Sequence, residues 1–192
     1  MPQKTKRDDV VQTAYELFNR HGYRAVGIDR IIAEAAVAKM MMYRHFPSKD
    51  DLVVAVLEDR ARRFDRALDA VAERCSSPLE ELSTIVEWYR DWFARPTFFG
   101  CAFVRALSEY DEEGTGGVVA AATAQKTAFG VRMQRIARDL GRPPAEARAL
   151  GAALLTAVEG STVLAQTGST DEAAAALRLT VESLLGAPLA LR

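Results

Sequence analysis

Two apolar helical patterns, each too short to hold itself together, follow one another inside residues 27–52, GIDRIIAEAAVAKMMMYRHFPSKDDL. Isolated helices below about 12–15 residues are marginal in water, so patterns this short persist only where another element covers their apolar sides. Ile28, Ile31, Ile32 and Ala35 mark the first, residues 38–45 form the second, and Pro47 stops it. A covering helix is encoded just upstream. Thr5 and Asp8 have capping-box spacing, and Val10, Ala14, Leu17 and Phe18 then repeat at helical intervals until Gly22. Residues 6–20 are thus predicted to pack on a helix-turn-helix.

The same punctuation continues downstream. Ser48 with Asp51 caps a fourth helix that carries Leu52, Val53, Val56, Leu57 and Phe64 towards Cys75, about 27 residues and roughly 40 Å at the standard rise. Ser77-Pro78-Leu79-Glu80 opens another that reaches Ala94 before Pro96, and residues 101–110 suit a shorter one. Gly114, Gly116 and Gly117 are predicted to break the chain before 118–139 resume helical periodicity. Gly141 to Pro144 close that segment, residues 144–167 follow, and Ser169 with Glu172 caps a last helix ending at Leu185-Gly186. With no alternating strand pattern anywhere, the fold class is all-α, about nine helices. A helix-turn-helix head over residues 1–47 precedes a larger helical body over 48–192.

Charge supports that division. The chain as a whole carries a formal net charge of −1. Residues 1–50, however, hold nine Lys/Arg against six Asp/Glu, a net of +3, and the remainder nets −4. A basic head on an acidic body confines attraction for a polyanion to one end. Several function classes fall away. No apolar run approaches the roughly 18 residues of a membrane span, and MPQKTKRDD lacks the apolar segment of a signal peptide. A cytoplasmic location without a membrane partner is expected. Cys75 and Cys101 make no disulfide framework or zinc spacing. Both histidines lie in the head, and no nucleophile-base pair or ligand cluster can be assembled. Neither enzymatic activity, a cofactor nor a metal is expected.

Ala14-Tyr15-Glu16-Leu17-Phe18, His21-Gly22-Tyr23, Ile31 to Val37 and Tyr43-Arg44-His45-Phe46-Pro47-Ser48-Lys49 stand in ungapped register. In this the chain resembles the TetR-like transcriptional regulators, densely over residues 6–57 and thinly beyond. The resemblance implies a ligand-responsive regulator, a repressor by expectation, that binds a palindromic DNA operator as a homodimer. Pairing would run through residues 144–185, where Ala152, Ala153, Gly160 and Ser161 interleave with leucines and permit close helix contact. A competing expectation is a dimeric small-molecule-binding protein whose DNA specificity has degraded.

A short helix enters a major groove with its first residues facing base edges, which nominates Lys39, Met40, Met41 and Arg44 to read sequence. Tyr43, His45 and Lys49 would hold phosphates, although His45 serves equally well in a local hydrogen bond. Met42 is predicted to be core with Ile31 and Phe46, leaving Met40 and Met41 to point outwards. Methionine cannot make a bidentate hydrogen bond but packs against a thymine methyl, so apolar contact near Met41 and guanine contact through Lys39 or Arg44 are expected. Ala36 stands where the family's turn commonly has glycine, and Ala38 where serine often caps the recognition helix. Both departures weaken the pattern locally.

Aromatic residues concentrate in the centre of the chain. Each taken singly is more readily core than ligand wall. The resemblance nonetheless implies that Trp88, Trp92, Phe103, Phe129 and Met133, with Cys101, line a site for a small apolar or aromatic effector. Arg105 or Glu109 would orient a polar group on it.

Overall fold

The computed structural model describes residues 5–189, apart from the side chains of 112–115. Among the described residues it is built from nine helices without a strand. α1 (Lys6–His21) begins on the expected box: Thr5 Oγ1 accepts from the Asp8 N–H at 3.2 Å, and the Asp8 carboxylate accepts from the Thr5 N–H at 3.0 Å. α2 (Ile28–Glu34) and α3 (Lys39–His45) follow. α4 (Lys49–Ala72) opens on a second such box between Ser48 and Asp51 and closes three residues before Cys75, so it has 24 residues. α5 (Pro78–Phe93) is capped by Ser77, and α6 (Ala102–Glu109) ends where Tyr110 turns extended. α7 is Glu112–Asp139, α8 is Pro144–Thr167 and α9 is Thr170–Leu185.

One boundary differs from expectation. Gly114, Gly116 and Gly117 do not break the chain; they lie inside α7, and the interruption falls at Tyr110 and Asp111. Glycine in a helix costs about 1 kcal/mol relative to alanine, a penalty that 28 residues of continuous hydrogen bonding absorb.

The chain divides into two compact units. The first comprises residues 1–63 with 101–125, the second 64–100 with 126–192. The unit that holds the helix-turn-helix is therefore larger than residues 1–47. Phe18, Tyr23, Ile31, Met42 and Phe46 share one core with Leu52, Val56 and Leu57 of α4, Phe103 and Ala106 of α6, and Val118 and Ala122 of α7. Met42 is fully buried, as its spacing with Ile31 and Phe46 requires. The turn between α2 and α3 passes through Ala36 at φ 51°, the one non-glycine residue at positive φ among those described. A Cβ in that region crowds the following carbonyl. Ala36→Gly is expected to raise the stability of the head by about 1 kcal/mol, read as a higher denaturant midpoint at unchanged slope. No gain would mean that the turn is relaxed.

In the second unit α8 packs on α9, and α5 packs on both, around Leu68, Ile85, Phe93, Phe129, Ile136, Leu154 and Leu177. The carboxylate of Glu81, 5% exposed, is paired by Arg135 and Arg132, and Arg132 also holds Asp69. α7 and α8 run antiparallel at close quarters. A Cβ on Gly151 would stand 2.7 Å from the Gln134 backbone nitrogen, and one on Gly130 would stand 3.4 Å from Leu155 Cδ2. Lys126 Nζ meets Glu159 Oε1 at 2.7 Å in the same register. By length and composition α8 is apolar enough to cross a membrane, with a mean hydropathy of 1.3 over its best window, which corrects the expectation that no segment qualifies. Its alanines and leucines supply that value. A third of the window is buried in the fold, with Leu154 and Val158 in the core of the second unit.

Candidate functional site

α3 carries the side chains named from sequence on the face opposite Met42. Lys39, Met40, Tyr43 and Arg44 are exposed, Met40 by 85% and Tyr43 by 40%. Met41 departs from expectation: it is half-buried against the head core, because a seven-residue helix over a small core leaves its flank in contact too. Met40 alone of the pair projects. Lys39 Nζ donates to Asp29 Oδ1 at 3.2 Å, and both groups are exposed, so this bond is weak and readily exchanged for a contact to an anion. His45 is half-buried with its ring 6.2 Å from that of Phe46. Lys49 Nζ reaches the Arg24 carbonyl at 3.4 Å, and partial burial lowers the pKa of its ammonium. Ala38 leaves α3 without a side-chain cap, as its chemistry dictates.

Arg105 and Glu109 of α6, with Tyr23 of the motif, fasten this surface to the rest of its unit. Arg105 of α6 donates to the carbonyls of Phe18 (3.2 Å) and Asn19 (2.7 Å), completing the C-terminal end of α1 with a cation. The Glu109 carboxylate accepts from the Arg24 N–H at 2.8 Å, and Arg24 Nε donates to the Glu109 carbonyl. Tyr23 is buried, and its hydroxyl donates to the Ala102 carbonyl at 3.0 Å; burial raises its pKa strongly. Arg105 and Glu109 are thus engaged with the head, which corrects the expectation that they orient an effector. Arg105→Met removes two charge-assisted bonds and is expected to cost about 2 kcal/mol in thermal unfolding, with Arg105→Lys recovering part of the loss. An unchanged transition in Arg105→Met would show that α6 does not support α1.

The residues named for an effector separate into two groups. Trp88, Trp92 and Phe129 belong to one aromatic cluster of the second unit. The indoles of Trp88 and Trp92 stack with centroids 5.7 Å apart, and Phe64 meets both Trp88 (5.6 Å) and Phe129 (5.1 Å) edge-on. Phe98 packs edge-on against Trp92 at 4.8 Å. Phe64, Trp88, Trp92 and Phe98 are half-buried, whereas Phe129 and Met133 are buried in the core behind them. Phe103 is buried in the core of the first unit, and half-buried Cys101 packs against that core. Phe64 was seen in the sequence only as a core position of the fourth helix. Its place among the tryptophans left no local trace.

α2 and α3, with Met42 buried beneath exposed Lys39, Met40, Tyr43 and Arg44, form a helix-turn-helix of the kind that presents its second helix to a DNA major groove. Residues 10–56 match the family described as bacterial regulatory proteins, tetR family. Over 191 residues the chain is 30% identical to the HTH-type transcriptional repressor KstR of Rhodococcus jostii, covering 96% of this chain and 84% of that protein. It is 26% identical over 115 residues to an HTH-type transcriptional regulator of the lacX 3′ region of Lactococcus lactis, 57% of this chain, and there it spans only 59% of the relative's length. The solved structure of a TetR-family transcriptional regulator from Streptomyces coelicolor superposes with a TM-score of 0.88 at 27% identity, covering 94% of each chain. The chain belongs to the tetR family of bacterial regulatory proteins, whose members are transcriptional regulators and not enzymes.

Proposed function

We propose that this protein is a ligand-responsive repressor of the bacterial cytoplasm that binds a palindromic operator as a homodimer and is released by a small apolar or aromatic effector. The observation that carries DNA binding is the exposed surface of α3. Lys39 and Arg44 supply cations for base edges, Met40 an apolar tip for a thymine methyl, and Tyr43 with Lys49 phosphate contacts. Residues 1–47, joined by Lys49 at the start of α4, act in this reading as the DNA-contacting part, and the remainder of 48–192 as the part that binds effector and partner.

Self-association rests on exposed apolar residues of the last two helices. Val163 and Leu164 of α8 are exposed by 49% and 52%, and Leu179 of α9 by 66%. Ala152, Thr156 and Gly160 continue the α8 stripe at helical spacing, and nothing comes within 4 Å of a Cβ built on Gly160. Two such helices from each copy make a four-helix interface with isologous symmetry. The effector site is read as the half-buried tryptophan cluster. α4 supplies Lys49 at its start and Phe64 to that cluster, and we take it as the coupling element. Ligand then favours head spacings that do not fit the operator, and tenfold release needs only about 1.4 kcal/mol of differential affinity.

The left-handed Ala36 and the uncapped start of α3 favour a second reading, a dimeric ligand-binding protein with degraded DNA specificity. Fluorescence anisotropy on the DNA upstream of its own coding region separates the two. A regulator gives selective, salt-dependent binding with dimer stoichiometry; equal weak affinity for any duplex favours the second reading.

A further inference from the structure

Building on the effector reading above, we infer that the molecule held at the tryptophan cluster is uncharged and presents one hydrogen-bond donor, a hydroxyl or an N–H, to Oε2 of Glu159. The carboxylate's ion-pair partner, Lys126, belongs to the helix that carries Phe129 of the cluster. Lys126 and Phe129 are neighbours at i and i+3 on α7, and the Phe129 ring is 5.1 Å from Phe64 and 6.2 Å from Tyr89. Across from them, Leu155 and Glu159 are neighbours at i and i+4 on α8.

Within this pair the two carboxylate oxygens differ. Oε1 accepts from Lys126 Nζ at 2.7 Å, whereas Oε2 is buried and accepts no hydrogen bond. A carboxylate oxygen out of water and without a donor is costly, and native folds retain such groups where a partner completes them.

The charge of that partner follows from the pair itself. A cationic ligand would be drawn to the indole faces, but at Glu159 it meets a charge already neutralised by the Lys126 ammonium and is repelled by that ammonium. An anion is attracted by Lys126 and repelled by Glu159. Either would also have to shed its water against apolar walls. A neutral hydroxyl or N–H on an aromatic body completes Oε2 without moving a charge out of water.

Four congeners of one shape test this by isothermal titration calorimetry on the full-length protein at pH 7: 4-ethylphenol, 4-ethylanisole, 4-ethylbenzylammonium and 4-ethylbenzoate. The phenol is expected to bind about tenfold tighter than its methyl ether, with both ions weaker than the phenol. In the charge-neutral double variant Lys126→Met/Glu159→Leu the preference for phenol over ether should fall to about twofold or less while ether binding persists. Equal affinity of phenol and ether in the unaltered protein, tightest binding of either ion, or a phenol preference that survives the double variant overturns the inference and leaves the aromatic site standing. Absence of binding by all four overturns the aromatic site, and the inference with it.

Discussion

Gly151→Val should lower the unfolding free energy of the second unit by about 3 kcal/mol, the largest loss expected from any single substitution in the body. The atoms a new Cβ would meet are the nitrogen and Cα of Gln134, at 2.7 and 2.8 Å. Those are helix backbone, which cannot rotate away as a side-chain tip can. The helix-propensity gain on leaving glycine, under about 1 kcal/mol for valine, cannot offset separation of two helices packed along several turns. Urea unfolding followed by tryptophan fluorescence reports this directly, because the chain's two tryptophans, Trp88 and Trp92, both lie in that unit. An unchanged midpoint would show that α7 and α8 do not approach closely at Gly151.

The second large effect concerns DNA. Replacing Lys39 and Arg44 together by alanine should weaken binding to the selected operator by about a hundredfold or more, since each specific base contact contributes about 1–3 kcal/mol. Stability should change by no more than about 0.5 kcal/mol, because both side chains are exposed. Tyr43→Phe, by contrast, should weaken all sequences alike if the hydroxyl reaches only phosphate. Affinity retained within twofold in the double variant would remove α3 from the interface. The measurement needs matched salt throughout, because counterion release dominates the absolute affinity.

The helix starts were legible because a cap is a local code. Thr5 with Asp8, Ser48 with Asp51 and Ser169 with Glu172 each close a hydrogen-bonded ring within three residues. The burial of Met42 was also readable, from its spacing with Ile31 and Phe46. What escaped was either non-local or a close balance of energies. Arg105 and Glu109 bond to residues 87 and 85 positions away, a pairing with no periodic signature. The glycines before Val118 were read as a break because their local cost is visible in the sequence, while the cooperativity of a long helix is not. Met41 was misplaced by assuming that a helix over a small core has only an inside and an outside.

The attachment of α6 to α1 bears on how the head comes into being. Its core is completed by Phe103, Ala106, Val118 and Ala122, and the end of α1 is finished by Arg105. A nascent chain that has emerged only as far as residue 63 lacks all five side chains. The core of the first unit is therefore complete only once the segment up to residue 125 has been synthesised, so the head and the segment from Cys101 onward mature together.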